Sequence, residues 1–503
     1  MKLLHILTAL FLLAAAANAQ QLEQQLFPGD PESFSDFGNA MDINGDVAII
    51  GASTKNENGF NYAGAAYIFR RTPTGWVQEA KLMATAPEIH DNFGTSVAIE
   101  GDVAVVGAPD FPYSSFTGSG RAWIYRRSNG VWALEQVVIP SNGGVDDGCG
   151  RLVALSGNTL AVSNSGNDTI SMYEYAAGTW TETSSLSTPP TAYIFPTDLV
   201  LQGDRLAAGS SWETVNGLLR AGAVRIFERN GATWQLAQVV TDPIPNDENY
   251  FGTSIAMDQG VLAVGVPEDN YENFSDAGVV QVFRHNGNDY QFEAKLNPSL
   301  PMQYGNFGSE LAVSGDRLIS SSTRDSVSGF NFGGAAYSYQ WNGIEWIGGA
   351  AFLPQPFSGQ TGYGYNVAID GDTAMVSNWQ DAFGFTGVGS AFVWDMSSGF
   401  RLQVTPTLPE ADNNALWRVR GGAPNAPAWL AYSLTGLGSL YFAPLNVTLG
   451  LSNPQQAGNN IVLNANGEGQ WDLYLPPAAQ NHTVYFQTVQ MGSASNVLST
   501  FIR

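Results

Sequence analysis

Carboxylates and aromatic rings crowd into the same short segments of this chain, while histidine is scarce. The run Pro267-Glu268-Asp269-Asn270-Tyr271-Glu272-Asn273-Phe274-Ser275-Asp276 sets four carboxylates and two Asn amides within ten residues. Glu268, Asp269, Glu272 and Asp276 are the candidate ligands for a hard cation, which takes about six or more oxygens. They lack the ordered spacing of a calcium loop, so no metal and no other cofactor is expected. Rings beside acids suit another chemistry, because a flat sugar face stacks on an aromatic and a protein partner docks against one. On this ground Tyr113, Trp212, Tyr271, Phe274 and Trp379 are the candidate ligand-binding residues. The competing reading makes the same rings staples between loops and the acids a solubilising fringe.

Catalysis has less to work with. Past the N-terminal apolar run only His90, His285 and His482 occur, and they are too dispersed in sequence to read as a zinc set. Neither a phosphate loop nor a GxSxG nucleophile motif is present. The expectation is no enzyme and no catalytic residue. A pair of carboxylates acting as acid and base on a glycoside is the rival.

The elements that must position these groups repeat. An aromatic-Gly pair stands at Phe37-Gly38, Phe93-Gly94, Phe251-Gly252, Phe307-Gly308 and Tyr363-Gly364, with drifted versions at Cys149-Gly150 and Phe195-Pro196. Successive first residues are 56, 56, 46, 56, 56 and 56 positions apart. A period of this length with β-type content predicts propeller blades. Within the second unit, Ser96 to Ile99 and Val103 to Gly107 read as strands joined by a tight turn at Glu100-Gly101-Asp102. Arg121 to Arg126 and a strand from Trp132 complete four. Turn glycines recur at Gly45, Gly101, Gly157, Gly203, Gly315 and Gly371, and glycines opening the third strand at Gly64, Gly120, Gly222, Gly278 and Gly334. Gln21 to Phe27 is an orphan fourth strand, expected to complete the seventh blade. Long loops then emerge on one face and short hairpins on the other, and the candidate residues all fall in the long loops.

The string FGTSVAIEGDVAVVGAP (93–109) resembles the FG-GAP repeat, the unit of the seven-bladed propeller at the head of integrin alpha subunits and of many secreted bacterial proteins. The resemblance runs over about residues 21 to 400. Integrin-type repeats join the inner strands by a DxDxDG calcium loop. Here the corresponding hairpins are cut to Ile43-Asn44-Gly45-Asp46, Ile99-Glu100-Gly101-Asp102, Gln202-Gly203-Asp204 and Ile369-Asp370-Gly371-Asp372. The resemblance is therefore to the short-hairpin bacterial variety, and the family's calcium sites are not carried over. It implies an adhesive or binding role.

The rest is set by composition. Met1-Lys2, the apolar run Leu3 to Ala17 and Ala17-Asn18-Ala19 are those of a secretory signal peptide (1–19) cleaved near Ala19. The formal charge is -24, and residues 401–503 sum to zero, so the excess negative charge lies in the repeats. Such a surface repels nucleic acid and anionic lipid, and no segment suits bilayer insertion. Residues 401–503 carry about seven short alternating strands between breaks such as Gly421-Gly422, Gly436-Leu437-Gly438 and Pro476-Pro477, which suggests a β-sandwich of immunoglobulin-like size. The sequence-based expectation is an all-β chain: a seven-bladed β-propeller over 20–400, then a β-sandwich. It acts as a secreted or cell-surface non-catalytic protein that binds an extracellular protein or glycan on its long-loop face. Alternatives are a secreted glycoside hydrolase or lyase and a structural surface component.

Overall fold

Each repeat folds into one four-stranded antiparallel sheet whose second strand is buried along nearly all its length and whose fourth is partly exposed. A computed structural model describes residues 21–109, 119–144, 147–187, 195–298, 301–325, 333–353, 362–379 and 387–396, together with ten strands between 401 and 501. In the second blade the strands are Ser96–Glu100, Val103–Ala108, Arg121–Ser128 and Val131–Val138. Val103–Ala108 is buried along its whole length, as a strand covered on both faces must be. Seven such sheets occur, and their first strands touch in cyclic order, the seventh against the first. This is a seven-bladed β-propeller, with no helix among the described residues.

The seventh sheet is built from both ends of the repeat region. Tyr363–Asp370, Thr373–Asn378 and Ser390–Asp395 supply three strands, and Gln21–Leu26 pairs beside Ser390–Asp395 as the fourth. Leu26 packs with Phe37, Met375, Ala391 and Val393. Gln24 forks onto the next blade, its amide donating to Trp76 O at 2.9 Å and accepting from Trp76 N at 2.8 Å. Gln136 on Trp180 and Gln238 on Tyr290 repeat the same fork.

The repeating aromatic-Gly pair and the glycines have one common cause. Phe37, Phe93, Cys149, Phe195, Phe251, Phe307 and Tyr363 are all fully buried where one blade meets the previous one. The glycine opening each third strand lets that backbone in. A Cβ at Gly64 would lie 2.1 Å from Phe93 O, at Gly222 2.1 Å from Phe251 O, and at Gly389 2.0 Å from Phe37 O across the ring seam. The drifted junction uses another device. Asp168 takes the left-handed conformation (φ 54) and accepts a hydrogen bond from Phe195 N at 3.0 Å.

The propeller unit spans Leu22–Asp395. The second unit holds three sheets, which include Asn413–Arg420 beside Gly469–Leu475 and Pro427–Ser433 between Gln455–Val462 and Thr483–Gln490. Ten strands are described there, against about seven expected. Leu437–Phe442 pairs with Val447–Leu451, so a strand begins at Leu437, where the sequence suggests a break.

Candidate functional site

Strand order puts the loop between second and third strands, and the link to the next blade, on one face. Each described long loop is pinned by a buried charge three residues past its second strand. Glu213 receives a two-pronged bond from Arg225 at 2.5 and 2.7 Å, with both residues buried. Asp269 accepts from Lys295 at 2.7 Å, and Asp325 from the Tyr337 hydroxyl at 2.5 Å. Lys55 donates to Asp30 O and Glu32, while Lys81 pairs with Glu57. Buried charges of this kind are tolerated only when paired, so these acids are committed to holding loops. Past each anchor, Glu57 bridges Phe60, Val215 bridges Leu218 and Tyr271 bridges Phe274. Asn58-Gly59 and Asn216-Gly217 supply the positive φ values of the tight turns.

The candidate residues separate on this frame. Tyr113 lies in 110–118, outside the described residues. Trp212 is half-buried, edge-on to Tyr250 at 5.4 Å and covered by the Arg220 guanidinium at 4.7 Å. Tyr271 packs against the core of its blade and Phe274 is half-buried. Trp379 lies 5.6 Å from Tyr365. Of the acids, Asp269 is the Lys295 anchor, while Glu268 and Glu272 are exposed. Burial, then Asp276, pushes the Glu268 carboxyl above its ordinary value. Among the described residues no three His, Cys, Asp or Glu groups are placed to share a metal ion. His90 stacks on Tyr62 at 5.0 Å, His285 is the last residue of its blade's third strand, and His482 lies outside the described residues.

Other rings are freer. Phe34 is 64% exposed, Tyr62 41% and Phe60 38%, with Ile89 beside them on the next link. These residues form one sector, because Thr54 donates to Phe34 O at 2.7 Å and His90 N to Asn61 O at 3.0 Å.

The seven first strands enclose a central cavity of about 540 Å³. Its chemistry depends on one position in the second strand. Gly51, Gly107, Gly209 and Gly265 fill it in four blades, and Ser163, Ser321 and Ser377 in the others. In the serine blades the hydroxyl accepts from a backbone N–H of the first strand: Leu152 at 2.9 Å, Glu310 at 3.1 Å and Asn366 at 2.9 Å. The first strand bulges there, with register shifts at Cys149/Val153, Phe307/Leu311 and Tyr363/Val367. Arg151, Glu310, Tyr365 and Asn366 thereby line the cavity. Burial, then Asp198, holds the Glu310 carboxyl well above the usual range. Burial also raises Asp198 against hydrogen bonds from Ile255 and Leu199, and lifts Asp42 to about 7 against those from Ile99 and Ile43. Sequence reading missed this set, although the break in the strand-two glycine pattern marks it.

At the other end the trimmed hairpins interlock. The residue before each turn accepts from the next blade's turn N–H: Asn44 from Gly101, Glu100 from Gly157, Ser156 from Gly203 and Gln202 from Gln259. Asp258 accepts from Gly315, Ser314 from Gly371, and Asp370 from Gly45 at 2.5 Å, closing the ring. Glu100, Asp258 and Asp370 are thus the hairpin carboxylates that clasp neighbouring blades.

The FG-GAP repeat family matches residues 21–69 and 76–125. No curated protein sequence matches the chain. Among solved structures, a candidate 6-phosphogluconolactonase from Bacteroides uniformis is 10% identical, covering 66% of this chain and 88% of its own, with a TM-score of 0.44. A second from Bacteroides fragilis is 8% identical, with coverage of 88% and 100% and a TM-score of 0.45. PorZ, an essential surface component of the type-IX secretion system of Porphyromonas gingivalis, is 10% identical, covering 95% of this chain and 60% of that one, with a TM-score of 0.45.

Proposed function

We propose that this FG-GAP β-propeller is an exported, non-catalytic binding protein whose long-loop face docks an extracellular protein or glycan. The observation that carries the reading is the sector of Phe34, Phe60, Tyr62 and Ile89, exposed on one link, the loop hydrogen-bonded to it and the next link. Rings held on fixed loops, with acids around them, offer area for contact at little cost in ordering. The non-catalytic part rests on the loop acids. Glu213, Asp269, Asp325 and Glu57 are each engaged by Arg225, Lys295, Tyr337 or Lys81. Export rests on the leader-like residues 1–19 and on the acidic repeats; no helix among the described residues is long and apolar enough to cross a membrane.

The test is a glycan array, with immobilised fibronectin and collagen alongside, probed with the purified protein and with the triple variant F34A/F60A/Y62A. Selective binding that falls at least about tenfold in the variant is the expected result, in line with the loss of two or three aromatic contacts. Binding that survives the triple variant, or no binding to any of these surfaces, overturns the assignment.

A further inference from the structure

The loop-face end of the central cavity divides its residues into used and unused ones. Two places after the marker residue, the glycine-type blades carry Asn39, Thr95, Thr197 and Thr253. Each is spent on structure. Asn39 donates to Gly94 O at 3.0 Å, Thr95 to Asn92 O at 2.7 Å, Thr197 to Gly252 O at 2.9 Å and Thr253 to Tyr250 O at 2.8 Å. In the serine-type blades Ser309 likewise donates to Asn306 O at 2.6 Å, but other side chains at this level differ. Among the described residues no hydrogen bond or ion pair engages the side chains of Arg151 or Glu310, and Asn366 Oδ1 is buried with no partner. Tyr365 is 46% exposed and backed by Trp379 at 5.6 Å.

A cavity of this size suits a small molecule. Its unused groups have mixed character: a guanidinium and an amide N–H that donate, a carboxyl and an amide oxygen that accept, and one ring face. The Arg151 guanidinium repels a cation, and the acids of the lining, Asp42, Asp198 and Glu310, repel an anion when they ionise. A neutral molecule with many hydroxyls meets no such repulsion, since each hydroxyl both donates and accepts. We propose that the loop-face end of the channel is a binding site for a mono- or disaccharide, with Glu310, Asn366 and Arg151 hydrogen-bonding hydroxyls and Tyr365 stacking on the sugar face. Glu310 is kept from ionising readily by its burial and by Asp198, which suits a hydroxyl partner better than an ammonium. The three serines are then part of the site, because they hold the bulges that aim these side chains. The proposal is independent of the rim sector around Tyr62.

The experiment is saturation-transfer NMR on the full chain with glucose, galactose, mannose, N-acetylglucosamine, cellobiose and lactose, and with glycine and lysine as zwitterionic probes. Transfer to the ring protons of at least one sugar is expected, reduced about tenfold or more in N366A and Y365A and less in the isosteric E310Q. F60A/Y62A leaves it unchanged, which separates this site from the rim. Melting temperatures within a few degrees of the parent show that the variants fold, and Y365F, which keeps the ring, serves where Y365A does not. No transfer to any sugar, transfer to the amino acids alone, or undiminished transfer in folded N366A and E310Q refutes the assignment.

Discussion

Gly203 and Gly222 both hold positive φ, at 55° and 81°, yet the fold depends on them to different degrees. Around Gly203, in a hairpin turn, nothing would lie within 4 Å of an added Cβ. At Gly222 the added atom would sit 2.1 Å from Phe251 O and 2.7 Å from Phe251 N, both backbone atoms of the neighbouring blade. Gly203→Ala therefore costs only the left-handed conformation, about 1 kcal/mol. Gly222→Ala adds a collision that only separation of two blades can relieve, and its cost is expected on the order of 3 kcal/mol or more, in the range of strained core insertions. Thermal unfolding of the two variants side by side checks this, and equal losses would refute the account of why the third-strand glycines recur.

At the scale of the element, the strand Gln21–Leu26 decides whether the ring is closed. Leu26 is buried against Phe37 and Met375, Gln25 donates to Ser390 Oγ at 3.1 Å, and Glu23 pairs with Arg71 of the first blade. Deleting 21–26 bares the edge of Ser390–Asp395. The lost Leu side chain contributes about 2 kcal/mol and each ladder bond about 1, so a loss on the order of 5 kcal/mol is expected. It should show as a lower melting temperature and as aggregation, both reversed by a peptide of residues 21–27 added in trans; an unchanged melting temperature counts against the closure. The seven-bladed fold was legible because glycine and a buried aromatic meet the demands of most blade junctions, and those demands recur at 56-residue spacing in all but one repeat. The long loops were less legible, since a ring such as Trp212 has the same letter whether it faces solvent or stacks under Arg220. The cavity was not read at all. Its residues come from seven separate strands, and the glycine-to-serine change that aims Glu310 and Asn366 lies eleven positions later, at Ser321 and Ser377.

For the whole molecule, two populations of carboxyl groups pull stability in opposite directions with pH. Burial raises Asp42 to about 7 and Asp325 to about 6, and raises Glu310 and Asp198 as well. A folded pKa above the unfolded one means that the native state keeps a proton the unfolded chain has released. The stability this contributes is complete below about pH 4 and is lost as pH climbs through 6 and 7. Glu79 and Glu135 are the reverse case. Burial alone would raise them, but Arg70 and Arg127 on Glu79, and Arg126 on Glu135, outweigh it and hold both below their ordinary value. Their contribution is present above about pH 4.5 and is lost as pH falls further. The formal charge of -24 adds self-repulsion that acid relieves, which reinforces the first trend. The melting temperature is therefore expected to peak near pH 5, to fall towards pH 8 and to fall again below about pH 4. Asp325→Asn keeps an acceptor for the Tyr337 hydroxyl while removing the titration, and should flatten the limb between pH 5 and 7 by on the order of 2 kcal/mol. A melting temperature that stays flat from pH 5 to 8 would mean that the ion pairs on the outer strands, whose contribution is complete over that range, and not the buried acids of the channel and loops, govern the stability of the ring.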